Sequence, residues 1–312
     1  MLPCARDNGK LGGHRLNLPK NLIIGIQSSI MRLMALLRLT RMEHSAMLVI
    51  AVLAAEMIAG RLPGAWILIL SIVSPVFISM SSFAVNDYFD LEVDRMNNRK
   101  RPLVTGDMKP SDAVYITILS MLIGLVASAL INWEVFVIAL VFGILALLYS
   151  YKLKEIAFVG NSYIAFSMAI PFIYGSYVVS SELGNGIILI FCMIFLSGLA
   201  REIHGTIRDI EGDSKARKIR SLPGIIGTMA SAAIALLLYI IAIAISAYIF
   251  FRVAPFKMNL VYALPITITD IMLAYTGIGF LVKSDRRFYD LARNLSLVAM
   301  GLALIAILLA PI

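Results

Sequence analysis

Residues 64–94 read GAWILILSIVSPVFISMSSFAVNDYFDLEVD. The run from Gly64 to Asn86 is long and apolar enough to cross a bilayer as a helix, and it closes on Asp87, Asp90, Glu92 and Asp94. Carboxylates beside hydrocarbon are costly unless something pairs with them, so they read as functional. On a helix Asn86, Asp90 and Asp94 recur every four residues and stay within about 80° of arc. A second acidic segment, Asp209-Ile210-Glu211-Gly212-Asp213, repeats the spacing of four just after another apolar run.

The rest of the chain agrees with a membrane setting. Of its 312 residues, 60% are hydrophobic, and the mean hydropathy is +0.89, outside the range of soluble globular domains. Apolar runs predict nine transmembrane helices at 42–60, 64–86, 112–131, 133–150, 157–179, 184–202, 223–251, 258–282 and 292–311. The fold expected is an all-α polytopic membrane protein, one bundle with its active-site loops in the cytoplasm. With the N-terminus placed in the cytoplasm, 24 of the 27 Lys and Arg fall on the cytoplasmic side, and only Arg61, Arg252 and Lys257 fall on the other. That asymmetry supports both the helix number and the orientation of a multi-pass protein of the cell membrane. It also places both acidic segments on the cytoplasmic face.

Residues 1–41 read as a cytoplasmic or interfacial segment, with 22–37 suited to lying along the membrane surface, and 42–312 as the transmembrane domain. No removable signal peptide is evident. Cys4 and Cys192 have no metal-ligand neighbours and make an unlikely pair. The net charge of +8 follows from the positive-inside bias plus attraction to anionic lipid headgroups, and calls for no nucleic-acid partner.

Two clusters of hard oxygen ligands suit Mg²⁺, which takes one or two carboxylates and leaves its other positions to water and substrate phosphates. The first stretch continues as NDYFDLEVDRMNNRKRPLVTG, residues 86–106, so Arg99-Lys100-Arg101 supply cations that a diphosphate needs. The second, residues 201–223, reads REIHGTIRDIEGDSKARKIRSLP. There Gly212 and the basic series from Lys215 to Arg220 suggest a helix that frays into a cationic loop.

Together these segments resemble the two signature motifs of the UbiA superfamily of intramembrane prenyltransferases. The first motif, N-D-x-x-D-x-x-x-D followed by R-P, is matched by Asn86, Asp87, Asp90, Asp94 and Arg101-Pro102. The second is matched by Arg201-Glu202, Asp209, Asp213 and Ser221-Leu222-Pro223. The chain departs from the family at Thr206, where many members have Asp, and at Arg208, where Glu is frequent. The resemblance implies two Mg²⁺ ions, one on Asn86, Asp90 and Asp94 and one on Asp209 and Asp213, bridging the diphosphate of an isoprenoid donor. It also implies a tyrosine and a lysine near the diphosphate in the segment Tyr149-Ser150-Tyr151-Lys152-Leu153-Lys154. Either Lys152 or Lys154 can ion-pair with phosphate, with Lys152 preferred; anchoring at the membrane interface is the plain alternative. Arg41 is the candidate arginine near substrate, though it can equally snorkel to the headgroups. Asp87, Arg101, Tyr149 and Arg208 complete the expected substrate contacts.

Residues 86–102 look most like the archaeal ether-lipid branch of the family, which adds a second geranylgeranyl chain to geranylgeranylglyceryl phosphate. An anionic, lipophilic acceptor fits the extra cation at Arg208. Aromatic prenylation of the quinone or haem-precursor type is the runner-up. A secondary transporter is the alternative from another class, but transporter acids sit nearer the bilayer midplane in broken helices. Glu56 and Asp270, placed inside helices, receive no role.

Overall fold

The computed structural model describes the backbone of residues 20–216, 221–283 and 285–312, and the side chains of 30–42, 44–209, 221–283 and 285–312. The described residues form helices α1 (Lys20–Leu39), α2 (Met42–Ala59), α3 (Ala65–Phe89), α4 (Leu91–Met96), α5 (Pro102–Thr105), α6 (Pro110–Ala129) and α7 (Trp133–Tyr151). They continue as α8 (Val159–Val179), α9 (Asn185–Ala216), α10 (Leu222–Ile226), α11 (Thr228–Arg252), α12 (Leu260–Val282) and α13 (Arg286–Leu309). A hydrocarbon environment leaves the backbone no other partner than itself, which forces each apolar run into a helix. Among the described residues eight helices are long and apolar enough to span, and the bent pair α1–α2, with 57° between its arms, raises the number to nine if it counts as one span.

The corners have local causes. Asn132 caps α7 by accepting from the Val135 amide at 2.8 Å, while its side-chain amide donates to the Tyr177 carbonyl at 2.8 Å and ties that corner to α8. Asn259 caps α12 through the Val261 amide and donates to the Ala310 carbonyl at 3.0 Å, fastening the corner to the end of α13. Pro102, Pro110 and Pro223 each sit in the first turn of their helices, where a missing N–H costs nothing. Gly227, at φ +87°, turns the chain between α10 and α11.

Packing closes the helices into a ring. α3 lies against α6 and α7, α8 against α9, α9 against α11, and α12 against α13, while α2 touches α8, α13 and α3 and joins the first helices to the last. Gly175 permits the α2–α8 approach, since a Cβ there would stand 2.6 Å from the Val52 carbonyl oxygen.

Three boundaries differ from the sequence expectation. The helix expected to end at 202 runs to Ala216, carrying the second acidic segment on a helical extension rather than a loop. Only Gly205 and Gly212 weaken a helix between Glu202 and Ala216, and isolated glycines are tolerated inside one. The span expected at 223–251 is split at Gly227 into α10 and α11. The last helix starts at Arg286 because the Asp285 side chain accepts from the Phe288 amide at 2.8 Å and caps it six residues before the apolar run.

Candidate active site

The first acidic segment straddles a junction. α3 ends at Phe89, and Asp90 is both its C-cap and the N-cap of α4. The Asp90 amide still bonds the Asn86 carbonyl at 2.9 Å and the Asp94 amide bonds the Asp90 carbonyl at 2.8 Å, so the helical register survives and Asn86, Asp90 and Asp94 stay on one side. The Asn86 side-chain amide donates to Asp90 Oδ2 at 3.2 Å. Asp87, Asp90 and Asp94 are all buried.

Buried carboxylates need cations, and four basic residues converge here. Arg101 Nη1 lies 2.9 Å from Asp94 Oδ2 and also pairs with Asp87. Arg41 Nη2 reaches Asp87 Oδ1 at 3.0 Å, with its guanidinium 4.7 Å from the centre of the Phe83 ring. Lys154 Nζ pairs with Asp90 Oδ1 at 2.7 Å, Asp90 buried and Lys154 nearly so. Arg99 approaches Asp94 at 3.6 Å. Arg41 gets there because it holds a left-handed conformation, φ 47°, at the bend between α1 and α2. Arg101 gets there because residues 97–101 fold back, with the Arg99 amide on the Asp94 carbonyl at 3.0 Å.

Lys152, the lysine preferred from sequence, is placed elsewhere. It follows the last turn of α7, is exposed, and pairs with Glu155 at 2.8 Å, which holds its ammonium above the usual lysine range. The 3-10 turn Leu153–Glu155 instead carries Lys154 inward to the acids. Replacing Lys154 by alanine is therefore expected to raise the donor KM roughly 10- to 100-fold, as for a lost charge-assisted hydrogen bond. Lys152→Ala should stay within about twofold, as for an exposed ion pair. Steady-state kinetics on the two variants decides between them, and a larger loss for Lys152 would reverse the assignment.

Beneath the acids lies a cavity of about 520 Å³. Arg41, Asn86, Tyr149 and Glu202 line one end, and Ser74, Ile138 and Tyr174 line it deeper in the bundle. Along α3, Asn86 to Ser74 measures about 18 Å at 1.5 Å per residue. One wall is aromatic: Tyr149 stacks on Tyr163 with centroids 4.5 Å apart, and Phe142 stacks on Tyr163 and Phe166. Asp270 borders the same cavity and accepts from the Ser246 hydroxyl at 2.6 Å, the partner that sequence alone did not supply. Glu56 is fully buried and stands apart from both acidic segments in sequence.

The second segment lies on α9. Arg201 pairs with Glu202 at 2.9 Å. Arg208 holds Asp209 in a two-point contact, Nε to Oδ1 and Nη2 to Oδ2, each 2.7 Å. Asp209 is half-exposed. Asp213 falls on α9 four residues further, but its side chain, like those of Lys215 to Arg220, lies outside the described residues. Sequence reasoning used Arg201 and Glu202 only as motif positions, whereas the structure places them in the walls of two neighbouring cavities. Their side-by-side position after an apolar run was the available signal.

The donor set suits a hard divalent cation. Asp90, Asp94 and the amide oxygen of Asn86 supply oxygen only, and among the described residues no three His, Cys, Asp or Glu converge on a point. Two carboxylates and an amide leave further positions to water and phosphate, as Mg²⁺ prefers.

The sequence pattern of the UbiA prenyltransferase family matches residues 47–298, and the chain belongs to this family. It is thus an intramembrane prenyltransferase. The digeranylgeranylglyceryl phosphate synthase of Archaeoglobus fulgidus is 39% identical over 278 residues, which are 88% of this chain and 94% of that protein. The synthase of the same name from Thermococcus kodakarensis is 30% identical over 284 residues, 90% and 99% of the two chains. Among solved structures, a digeranylgeranylglyceryl phosphate synthase superposes with a TM-score of 0.74 at 24% identity, covering 90% of this chain and 98% of that one. A UbiA homologue from Archaeoglobus fulgidus bound to GPP and Mg²⁺ gives 0.61 at 20% identity, over 88% and 99%. Both likenesses are of the fold.

Proposed function

We propose that the protein transfers a geranylgeranyl group from its diphosphate to geranylgeranylglyceryl phosphate, making the second ether bond of an archaeal-type lipid. The observation that carries this reading is the near full-length likeness to the Archaeoglobus fulgidus digeranylgeranylglyceryl phosphate synthase.

The donor diphosphate would lie at Asn86, Asp90 and Asp94, with its prenyl tail running into the larger cavity. That cavity is apolar, bordered by aromatic rings, and about 18 Å deep along α3, which suits a long chain. Mg²⁺ on Asn86, Asp90 and Asp94, with a second ion on Asp209 and Asp213, would supply charge neutralisation for the leaving diphosphate. Arg41, Arg101 and Lys154, now spent on carboxylates, are placed to share their hydrogen bonds with phosphate oxygens as negative charge grows there. As the bond between C1 of the donor and the diphosphate breaks, its electron pair leaves on the diphosphate. The Tyr149, Tyr163 and Phe142 rings, which line this cavity, would stabilise the allylic cation, and the apolar wall would keep water from it. The acceptor hydroxyl oxygen bonds to C1, and its proton passes to Glu202, the carboxylate that lines both cavities. The basic residues gathered on one side of the bundle support a cytoplasmic site and a cytoplasmic N-terminus.

Sealed right-side-out membrane vesicles containing the protein, offered labelled geranylgeranyl diphosphate and Mg²⁺, test both parts of the reading. Acceptors would be geranylgeranylglyceryl phosphate, its phosphate-free glycerol ether, and a benzoate-type ring. The expected product is the digeranylgeranyl phosphate ether, formed only after detergent opens the vesicles. Prenylated ring with no ether would replace the acceptor assignment, and turnover in sealed vesicles would reverse the orientation.

A further inference from the structure

A second, smaller cavity of about 270 Å³ lies among α9, α11, α12 and α13, beside the larger one. It is lined by Arg201, His204, Arg208, Tyr239, Arg293 and Ser296, together with the carboxylates Glu202 and Asp209. We infer that this cavity receives the phosphate of the acceptor, a site distinct from the one that holds the donor diphosphate. The inference rests on the proposed function.

Hydrogen-bond chemistry gives the first argument. His204 Nε2 and Arg201 Nε both belong to residues that line this cavity, both atoms are buried, and neither has a hydrogen-bond partner among the described residues. His204 is only 6% exposed, its ring stacked on Phe280 at 3.8 Å. Buried polar atoms without partners are rare and costly. The arginine Nε–H can only donate, and the neutral imidazole Nε2 can donate as one of its two tautomers. A ligand that accepts from both satisfies them together, and phosphate oxygens do so.

Charge gives the second. Arg201 is matched by Glu202 and Arg208 by Asp209. Asp290, whose charge reaches Arg208, does not line the cavity. Arg293 is left over: among the described residues it makes no salt bridge, and it sits one turn from Ser296 on α13. Water alone would satisfy the orphan donors but would not use the surplus guanidinium, whereas a phosphate monoester does both.

Position gives the third. The cations of the donor site, Arg41, Arg101 and Lys154, belong to the α2–α3 and α7–α8 side, and none of them lines the smaller cavity. The two cavities share Arg201 and Glu202 as common wall. A phosphate seated by Arg293 and His204 would leave the glycerol hydroxyl at that wall, beside the carboxylate assigned to take its proton. The acceptor's own hydrocarbon chain would then pass into the larger cavity.

The test measures binding as well as turnover. Wild-type protein and Arg293→Gln, an exposed position whose change spares the fold, are titrated with geranylgeranylglyceryl phosphate without donor, and then with its phosphate-free glycerol ether. Arg293→Gln is expected to weaken the phosphate lipid roughly 10- to 100-fold and raise its KM likewise. Binding of the phosphate-free lipid and the donor KM should be unchanged, and Arg293→Lys should restore part of the loss. His204→Phe, which keeps the stack on Phe280, should also raise the acceptor KM alone; equal damage to both substrates would mark His204 as a packing residue. Unchanged acceptor binding in Arg293→Gln, with normal ether synthesis, would overturn the pocket and leave the proposed function standing. Absence of any ether product from the wild type would overturn both.

Discussion

Asp90→Asn is expected to lower kcat roughly 10²–10³-fold while the protein remains folded, as when one preorganised electrostatic group is removed from a developing charge. The asparagine keeps the shape and one hydrogen-bond acceptor for Lys154, so packing at the α3–α4 junction is spared. It loses the negative charge that would help hold Mg²⁺ against the diphosphate. Chelating divalent cations with excess EDTA should reduce wild-type turnover further than the substitution does, and Mg²⁺ or Mn²⁺ should restore it. Product formation from labelled donor, with size-exclusion and thermal-unfolding profiles alongside, gives both readings. Full turnover by folded protein in excess EDTA would rule out metal-assisted departure of the diphosphate.

Hydropathy made the spans legible, because hydrocarbon admits no backbone solution other than the helix and each run is closed by polar residues or by Pro and Gly, as at Leu62-Pro63-Gly64. It gave no hold on the end of α9. There the residues are polar but still helix-compatible, and the helix simply leaves the apolar zone and continues to Ala216. The start of α13 escaped for the same reason, with the Asp285 cap hidden among charged residues.

The candidate site was legible as a set of residue types and only in part as contacts. A spacing of four places Asn86, Asp90 and Asp94 on one side of a helix, and the hydrogen bonds of that register persist through the break at Asp90. The choice between Lys152 and Lys154 turns on one 3-10 turn that no periodicity encodes. Nor does any spacing reveal that Arg201 and Glu202 form a wall between two cavities, since that depends on where α13 packs.

Arg101 carries the second large expectation. Its guanidinium bridges Asp94 and Asp87, Arg41 meets the same Asp87 oxygen, Oδ1, and both acids are about 2% exposed as side chains. Arg101→Ala leaves two buried carboxylates with too few cations, which should cost about 3–5 kcal/mol of stability and lower the unfolding temperature. Activity should fall with it, because the same guanidinium is one of the cations proposed to meet the diphosphate. Arg101→Lys should recover part of both, since Nη1 alone makes both contacts and an ammonium with three donors can take the same place. The paired change Arg101→Ala with Asp87→Asn separates the two effects. Removing the unmatched charge should return most of the lost stability, as measured by thermal unfolding in detergent, while turnover stays low. Recovery of turnover together with stability would mean that Arg101 serves only the fold, and would leave Arg41 and Lys154 as the cations that meet the diphosphate.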